Sequence, residues 1–244
     1  MGTGWTVYWE PKLGNAASEY EDAFWPAAGR VGADRFAVAD GATESSYSRE
    51  WAEALVAQYG TRAPWKPNFI RSLPELQDAW RSRRDGASLP WFAEMKIQQG
   101  AYAAFLGVRL LPRNGRVRLH ALAAGDCELV HLTGGRPHCA FPLRHSREFG
   151  IHPELIGTWT DSSAARHMIT GRREDVRVGD RLLLMTDALA AWFLREDEDG
   201  RRPWETLDSF GGDGQAAFGD WVDSARRTGE MRNDDVTLGV VELT

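Results

Sequence analysis

The chain has 244 residues, enough for one large domain or two small ones with a full core, and a net charge of −6. With 35 Asp and Glu against 29 Lys and Arg, it lacks the basic balance of a nucleic-acid binder, and Arg81-Ser82-Arg83-Arg84 is read as a solvated helix face. No apolar run approaches the roughly 20 residues of a membrane span, no basic-then-apolar leader opens the chain, and its two cysteines (Cys127, Cys139) suit a reducing compartment, so the reading is cytoplasmic with no membrane partner.

In chain order, Thr6–Trp9 reads as a first strand and Arg35–Ala39 as a second. From Ser48, the residues Trp51, Leu55, Val56 and Tyr59 recur at helical spacing, with Ser45 or Ser46 available as a cap. Residues 61–74 read as irregular, Pro74 as the start of a helix to about Arg84, and Pro90 as the start of another to about Gln99. Strands follow at Ala103–Val108, at Val117–Ala123 after an Asn114-Gly115 turn, and at Glu128–Leu132 before Thr133-Gly134-Gly135. Such turns signal hairpins and antiparallel pairing. Residues 133–160 read as irregular, helices are expected at about 161–169, 188–196 and 215–228, and strands at Arg181–Met185 and Val236–Val241. Nothing resembles a linker or a repeat, so residues 1–244 are expected to form a single domain of sheets covered by helices. The 11 tryptophans keep no period and are assigned to core packing.

The chemistry lies in where the acids fall. Phe36–Ala39 ends in Asp40-Gly41, Leu122–Ala124 in Gly125-Asp126, and Leu182–Thr186 in Asp187, while Asn233-Asp234-Asp235 stands just before the last strand. One Asp after a strand is ordinary turn or cap chemistry. Four brought together would repel one another unless a hard cation lay between them. Mg2+ or Mn2+ takes such oxygen ligands, and two ions about 3.5–4 Å apart can activate a water and clamp a phosphoryl group.

Phe36-Ala37-Val38-Ala39-Asp40-Gly41, Ala124-Gly125-Asp126, Gly179 to Asp187, and Asp234-Asp235-Val236-Thr237, preceded by the acidic pair Glu21-Asp22, resemble the successive motifs of the PP2C (PPM) phosphatases over about residues 5–243. The resemblance, to a bacterial-like single-domain member, implies an α+β fold. In it, two antiparallel sheets pack face to face in a four-layer α-β-β-α sandwich, with the metal site in a cleft at one edge. It implies that Asp40 bridges two divalent cations, Mn2+ or Mg2+, that the Gly41 carbonyl helps hold the second, and that Asp187 and Asp234 complete the first. Asp22 and Glu21 would bind through water or support the site, and Asp126 would hold a third, weaker ion. Asp40, Asp187 and Asp234 would then be the catalytic carboxylates, the nucleophile a metal-bound water, and the substrate a phosphoserine or phosphothreonine protein, the target of a kinase.

Departures bear on the substrate. Where the family carries a phosphate-gripping arginine and an asparagine before the acidic pair, this chain has Ala17 and Tyr20; Ala188 replaces a glycine, and Ala101-Tyr102 follows Gly100 where a hydroxyl residue is usual. Lys12, Arg30 and Arg35 are the candidate replacements for the missing arginine. The competing function is a regulatory or binding protein on the same fold with weak or no turnover. Asp197-Glu198-Asp199-Gly200 lacks the spacing of a calcium loop, and no zinc-protease, Walker or nucleophile-elbow motif is present. His145 and His152 lie in the irregular region as possible substrate neighbours.

Overall fold

Alternating side chains along the strands build two sheets that share one apolar interior. The computed structural model describes residues 2–42, 47–62, 64–83, 97–113, 116–150, 153–211 and 214–244. Its first half contains β1 (Thr3–Glu10), β2 (Ala23–Trp25), β3 (Arg35–Gly41), α1 (Ser48–Thr61), α2 (Lys66–Ser82), β4 (Tyr102–Arg113) and β5 (Arg116–Ala124). The second half contains β6 (Glu128–Thr133), β7 (Arg136–Phe141), β8 (Ile156–Gly157), α3 (Ser162–Met168), β9 (Thr170–Val176), β10 (Arg181–Met185), α4 (Asp187–Glu198), α5 (Pro203–Asp208), α6 (Gln215–Arg227) and β11 (Val236–Leu243). One sheet has the order β1-β11-β10-β6-β7 and the other β2-β3-β4-β5-β9, with β8 on β4, and every pairing is antiparallel.

The period of two decides the layers. In β4, Ala104, Leu106 and Val108 face the other sheet, whereas Ala103 and Phe105 face α1 and α2. In β10, Leu182 and Leu184 face inward, whereas Leu183 and Met185 meet Phe193 of α4 and Phe218 and Val222 of α6. The result is the α+β, four-layer α-β-β-α sandwich that the resemblance implied. Trp5, Trp51 and Trp80 are buried in it, but Trp159 is exposed and packs under the Arg81 guanidinium. Arg81 also donates to the Thr158 carbonyl, so that part of the basic run is structural rather than solvated.

Several elements correct the sequence reading. Pro74 lies inside α2, which begins at Lys66 with Pro67 in its first turn. The missing Pro74 N–H leaves one backbone bond unmade, and burial of Phe69, Ile70, Leu73 and Trp80 on one face outweighs it. Residues 133–160 hold β7 and β8, and β2, β9 and α5 were also unforeseen. Short or polar edge strands such as Thr170–Val176, exposed on alternate residues, carry little hydrophobic signal. The Asn114-Gly115 turn, the Ser45 or Ser46 cap, His152 and most of the helix from Pro90 lie outside the described residues, although 97–99 are helical. Among the described residues no helix is long and apolar enough to cross a membrane.

Candidate metal centre

Register brings the acidic strand ends to one end of the sandwich. Ala23 faces Ala39, Asp40 faces Ala104, and Phe105 faces Ala124, which aligns the start of β2 with the ends of β3 and β5. In the other sheet, Met185 faces Leu238 and Glu10 faces Val236, which aligns the end of β10 with the start of β11. Asp22, Asp40, Asp126, Asp187 and Asp234 therefore meet at a common edge. Two glycines make this possible. A Cβ on Gly41 would lie 2.8 Å from the Glu21 carbonyl oxygen and 2.9 Å from the Ser48 carbonyl carbon. Gly125 turns at φ +79° against Ala104 and so places Asp126.

The carboxylates act on one another. Burial, then Asp22, Asp187, Asp234 and Asp126, push the Asp40 carboxyl well above the usual range. Asp22 is raised in the same way, by burial against the opposing effect of its hydrogen bonds, and Asp126 is pushed up to about 6 by burial and by Asp187. Asp187, the first residue of α4, is raised by burial although Arg232 opposes the shift. Loss of water and like charge together make an anionic cluster costly unless something positive joins it.

The polar neighbours hold this cluster in shape. Asp22 Oδ2 accepts from Thr186 Oγ1 at 3.0 Å and Thr237 Oγ1 at 2.6 Å, and Thr237 is also in contact with the Tyr20 hydroxyl. Tyr20, at the family's asparagine position, is thus a brace of the site. Glu21 accepts from the Ser48 hydroxyl, and its backbone N–H donates to Asp235 Oδ2 at 2.7 Å. Asp235 also accepts from the Lys12 N–H at 2.8 Å, tying the segment after β1 to β11. Thr186, Thr237, Ser48 and Asp235 were not singled out from the sequence. Thr186, Thr237 and Asp235 lay within quoted motifs, and only the fold reveals that they point at Asp22 and Glu21.

Two cations lie against the cluster. Lys12 Nζ is 2.9 Å from Asp234 Oδ1, and Arg232 pairs with Asp187 and approaches Asp234 at 3.5 Å. Lys12 was among the candidates to replace the missing arginine; Arg232 was not. Arg35 sits at the far end of β3 on the Gly60 carbonyl and near Asp34, so the structure removes it from consideration. Arg30 lies in an exposed loop. Ala17 is exposed on a groove of about 340 Å3 that it shares with Trp9, Tyr20, Asp22 and Arg49. His145 is held by Glu198 at 3.3 Å on the surface.

The set fits hydrated hard cations. Oδ1 of Asp22 and Oδ1 of Asp187 are buried without a hydrogen-bond donor, and the donors offered are all oxygens. Among the described residues no three of these aspartates bring oxygens within 4.8 Å of one another. Mg2+ and Mn2+ take oxygen ligands, keep several waters and need few direct carboxylates.

The sequence matches no family model and no curated protein. Solved structures do resemble it. The Mycobacterium tuberculosis serine/threonine phosphatase PstP/Ppp superposes with a TM-score of 0.64 at 17% identity, over 100% of this chain and 99% of that one. The PstP catalytic domain in complex with two manganese ions gives 0.62 at 16% identity, over 99% and 98% of the two chains. Staphylococcus aureus Stp1, also a serine/threonine phosphatase, gives 0.63 at 12% identity, over 98% and 94%.

Proposed function

We propose that this chain, which has the fold of the PP2C serine/threonine phosphatases, is a divalent-cation-dependent phosphomonoester hydrolase acting on phosphoserine or phosphothreonine in proteins, with residues 1–244 working as one catalytic unit. The observation that carries the reading is the convergence of Asp22, Asp40, Asp126, Asp187 and Asp234 at one end of the sandwich, with buried oxygens left over. Asp40, Asp187 and Asp234, with the Gly41 carbonyl, would hold two cations, Mn2+ or Mg2+; Asp22 and Glu21 would support them, and Asp126 would serve a third. The manganese pair in the PstP complex supports divalent metals on this fold. Bound there, the ions would supply an activated water as nucleophile and positive charge for the phosphoryl oxygens.

The chain's own residues supply the rest. Thr186 and Thr237 fix the Asp22 carboxylate, and Ser48 fixes Glu21, so the acids keep their orientation with little reorganisation. Lys12 and Arg232, already at the rim of the cluster, are the groups we assign to the incoming phosphate in place of the family's arginine. Arg232 offers a planar fork and Lys12 a point charge. The test is hydrolysis of an aryl phosphate and a phosphothreonine peptide by the full chain with and without Mn2+. Turnover that needs Mn2+ and vanishes with a chelator is expected; turnover that persists after verified metal removal overturns the mechanism. Mn2+ binding with no turnover on either substrate would instead favour a regulatory protein on the same fold.

A further inference from the structure

A second cluster lies at the other end of the same strands. His131 of β6 faces Cys139 of β7 and Leu182 of β10 across the ladder, and Glu174 of β9 faces Leu119. Because Leu182 and Leu119 belong to the interior between the sheets, His131, Cys139 and Glu174 point there too, where the edge strands β7 and β9 approach. One nitrogen, one sulfur and one carboxylate oxygen of the three lie within 4.8 Å of one another. His131 Nδ1 is 3.0 Å from Glu174 Oε1, and Cys139 Sγ is 3.3 and 3.2 Å from the two Glu174 oxygens. His131 is only 2% exposed, and its Nδ1 makes no hydrogen bond of acceptable angle despite that short approach.

We propose that His131 Nδ1, Cys139 Sγ and Glu174 Oε1 form a transition-metal site suited to Zn2+, separate from the aspartate centre. Thiolate with imidazole selects zinc over magnesium or calcium, and three protein ligands leave a fourth position for water. Tetrahedral ligands at zinc distances stand roughly 3.3–3.8 Å apart, close to the Nδ1–Oε1 and Sγ–Oε1 separations of 3.0 and 3.3 Å. The surroundings have the form of a supporting shell. Asp180 Oδ2 lies 2.9 Å from His131 Nε2 and would accept its proton, fixing the tautomer that frees Nδ1 for the ion. Asp180 is itself anchored by the Arg177 N–H at 2.9 Å. Arg172 donates to Glu174 Oε2 at 2.9 Å, which leaves Oε1 as the ligand atom. Binding would displace one proton from the imidazole and one from the thiol. The charges of Zn2+ and Arg172 would then balance those of Cys139, Glu174 and Asp180. A cavity of about 350 Å3 lined by His138, Cys139, Arg172 and Asp197 reaches the Cys139 side of the cluster.

Cobalt reads out the thiolate directly. The full chain, held in excess Mg2+ to occupy the aspartates, is titrated with Co2+ and then Zn2+. The site predicts one equivalent of Co2+ with a sulfur-to-cobalt charge-transfer band in the near ultraviolet, displaced by Zn2+. Cys139→Ser should abolish the band, Cys127→Ser should keep it, and Glu174→Gln should weaken Zn2+ at least about tenfold. As a check needing no variant, stoichiometric Zn2+ should slow alkylation of Cys139 in the wild type about tenfold or more. No band at any Co2+ concentration, a band that survives Cys139→Ser, or an alkylation rate indifferent to Zn2+ each overturns the proposal.

Discussion

The two ends of the sandwich bury charge in opposite ways. At the far end, His131 and Arg172 face Glu174 and Asp180, so positive and negative groups are matched. Burial alone would lower the His131 pKa, but the close approach of Cys139, Glu174 and Asp180 pushes it up to about 10, while Glu174 falls to about 2 against the pull of its burial. At the acidic end, five aspartates meet two cations, and the groups acting most strongly on Asp40 are all carboxylates. Matched buried charge is costly to break, because removing one partner leaves the other uncompensated, whereas unmatched charge costs stability in the metal-free fold.

The comparison breaks first at Asp40. Asp40→Asn removes the carboxylate that touches every other acid's field, and loss of several kcal/mol of cation-borne stabilisation corresponds to about 100- to 1000-fold in kcat. The same change should raise the metal-free melting temperature, because repulsion is relieved. Kinetics at saturating Mn2+ and a melt in chelator test both halves; near wild-type kcat would contradict the assignment.

At the matched end the sign reverses. His131→Gln leaves Asp180 buried without its cation, while Glu174 keeps Arg172, and should cost about 3–5 kcal/mol of metal-free stability, read from denaturant midpoints. A variant as stable as the wild type would show that the pairing contributes nothing. A smaller effect belongs to Arg232→Gln. Its charge-assisted bonds to phosphate are worth about 1.5–3 kcal/mol, so KM for a phosphopeptide should rise by roughly 10- to 150-fold with kcat much less affected. An unchanged KM would move the phosphate contact to Lys12 alone.

The smallest effect lies outside both ends. Burial, then Arg173, Arg118 and Arg109, lower the His120 pKa below the ordinary histidine value of about 6.5. The unfolded chain therefore takes up that proton first, and stability should fall as pH drops below about 6.5. His120→Gln should flatten that part of the melting-temperature profile, and an unaltered slope would assign it to other groups.

What could be read from the sequence follows from which physics is local. Asp40, Asp126, Asp187 and Asp234 were visible because each sits beside an apolar strand whose direction and length are written in consecutive residues. Their convergence could be inferred only from the resemblance, since register is a property of paired strands. Arg232 carried no signal: it is one arginine in a polar loop, and its partner Asp187 lies 45 residues earlier in the chain. The His131 cluster was equally hidden, for its members come from three strands, two of which, β7 and β9, were not recognised. The helix containing Pro74 shows the same limit, because a local breaker lost to burial that only the folded chain supplies.

The most direct test of the contrast between unmatched and matched charge is the melting temperature of the full chain as Mn2+ is added, in wild type and in Asp40→Asn. A cation that binds only the folded state stabilises by about 2.7 kcal/mol at 100 times its Kd. For a domain of this size that is a rise of roughly 5–11 °C. The account predicts that rise in the wild type and its near disappearance in Asp40→Asn. An equal rise in both, or none in the wild type, would contradict it.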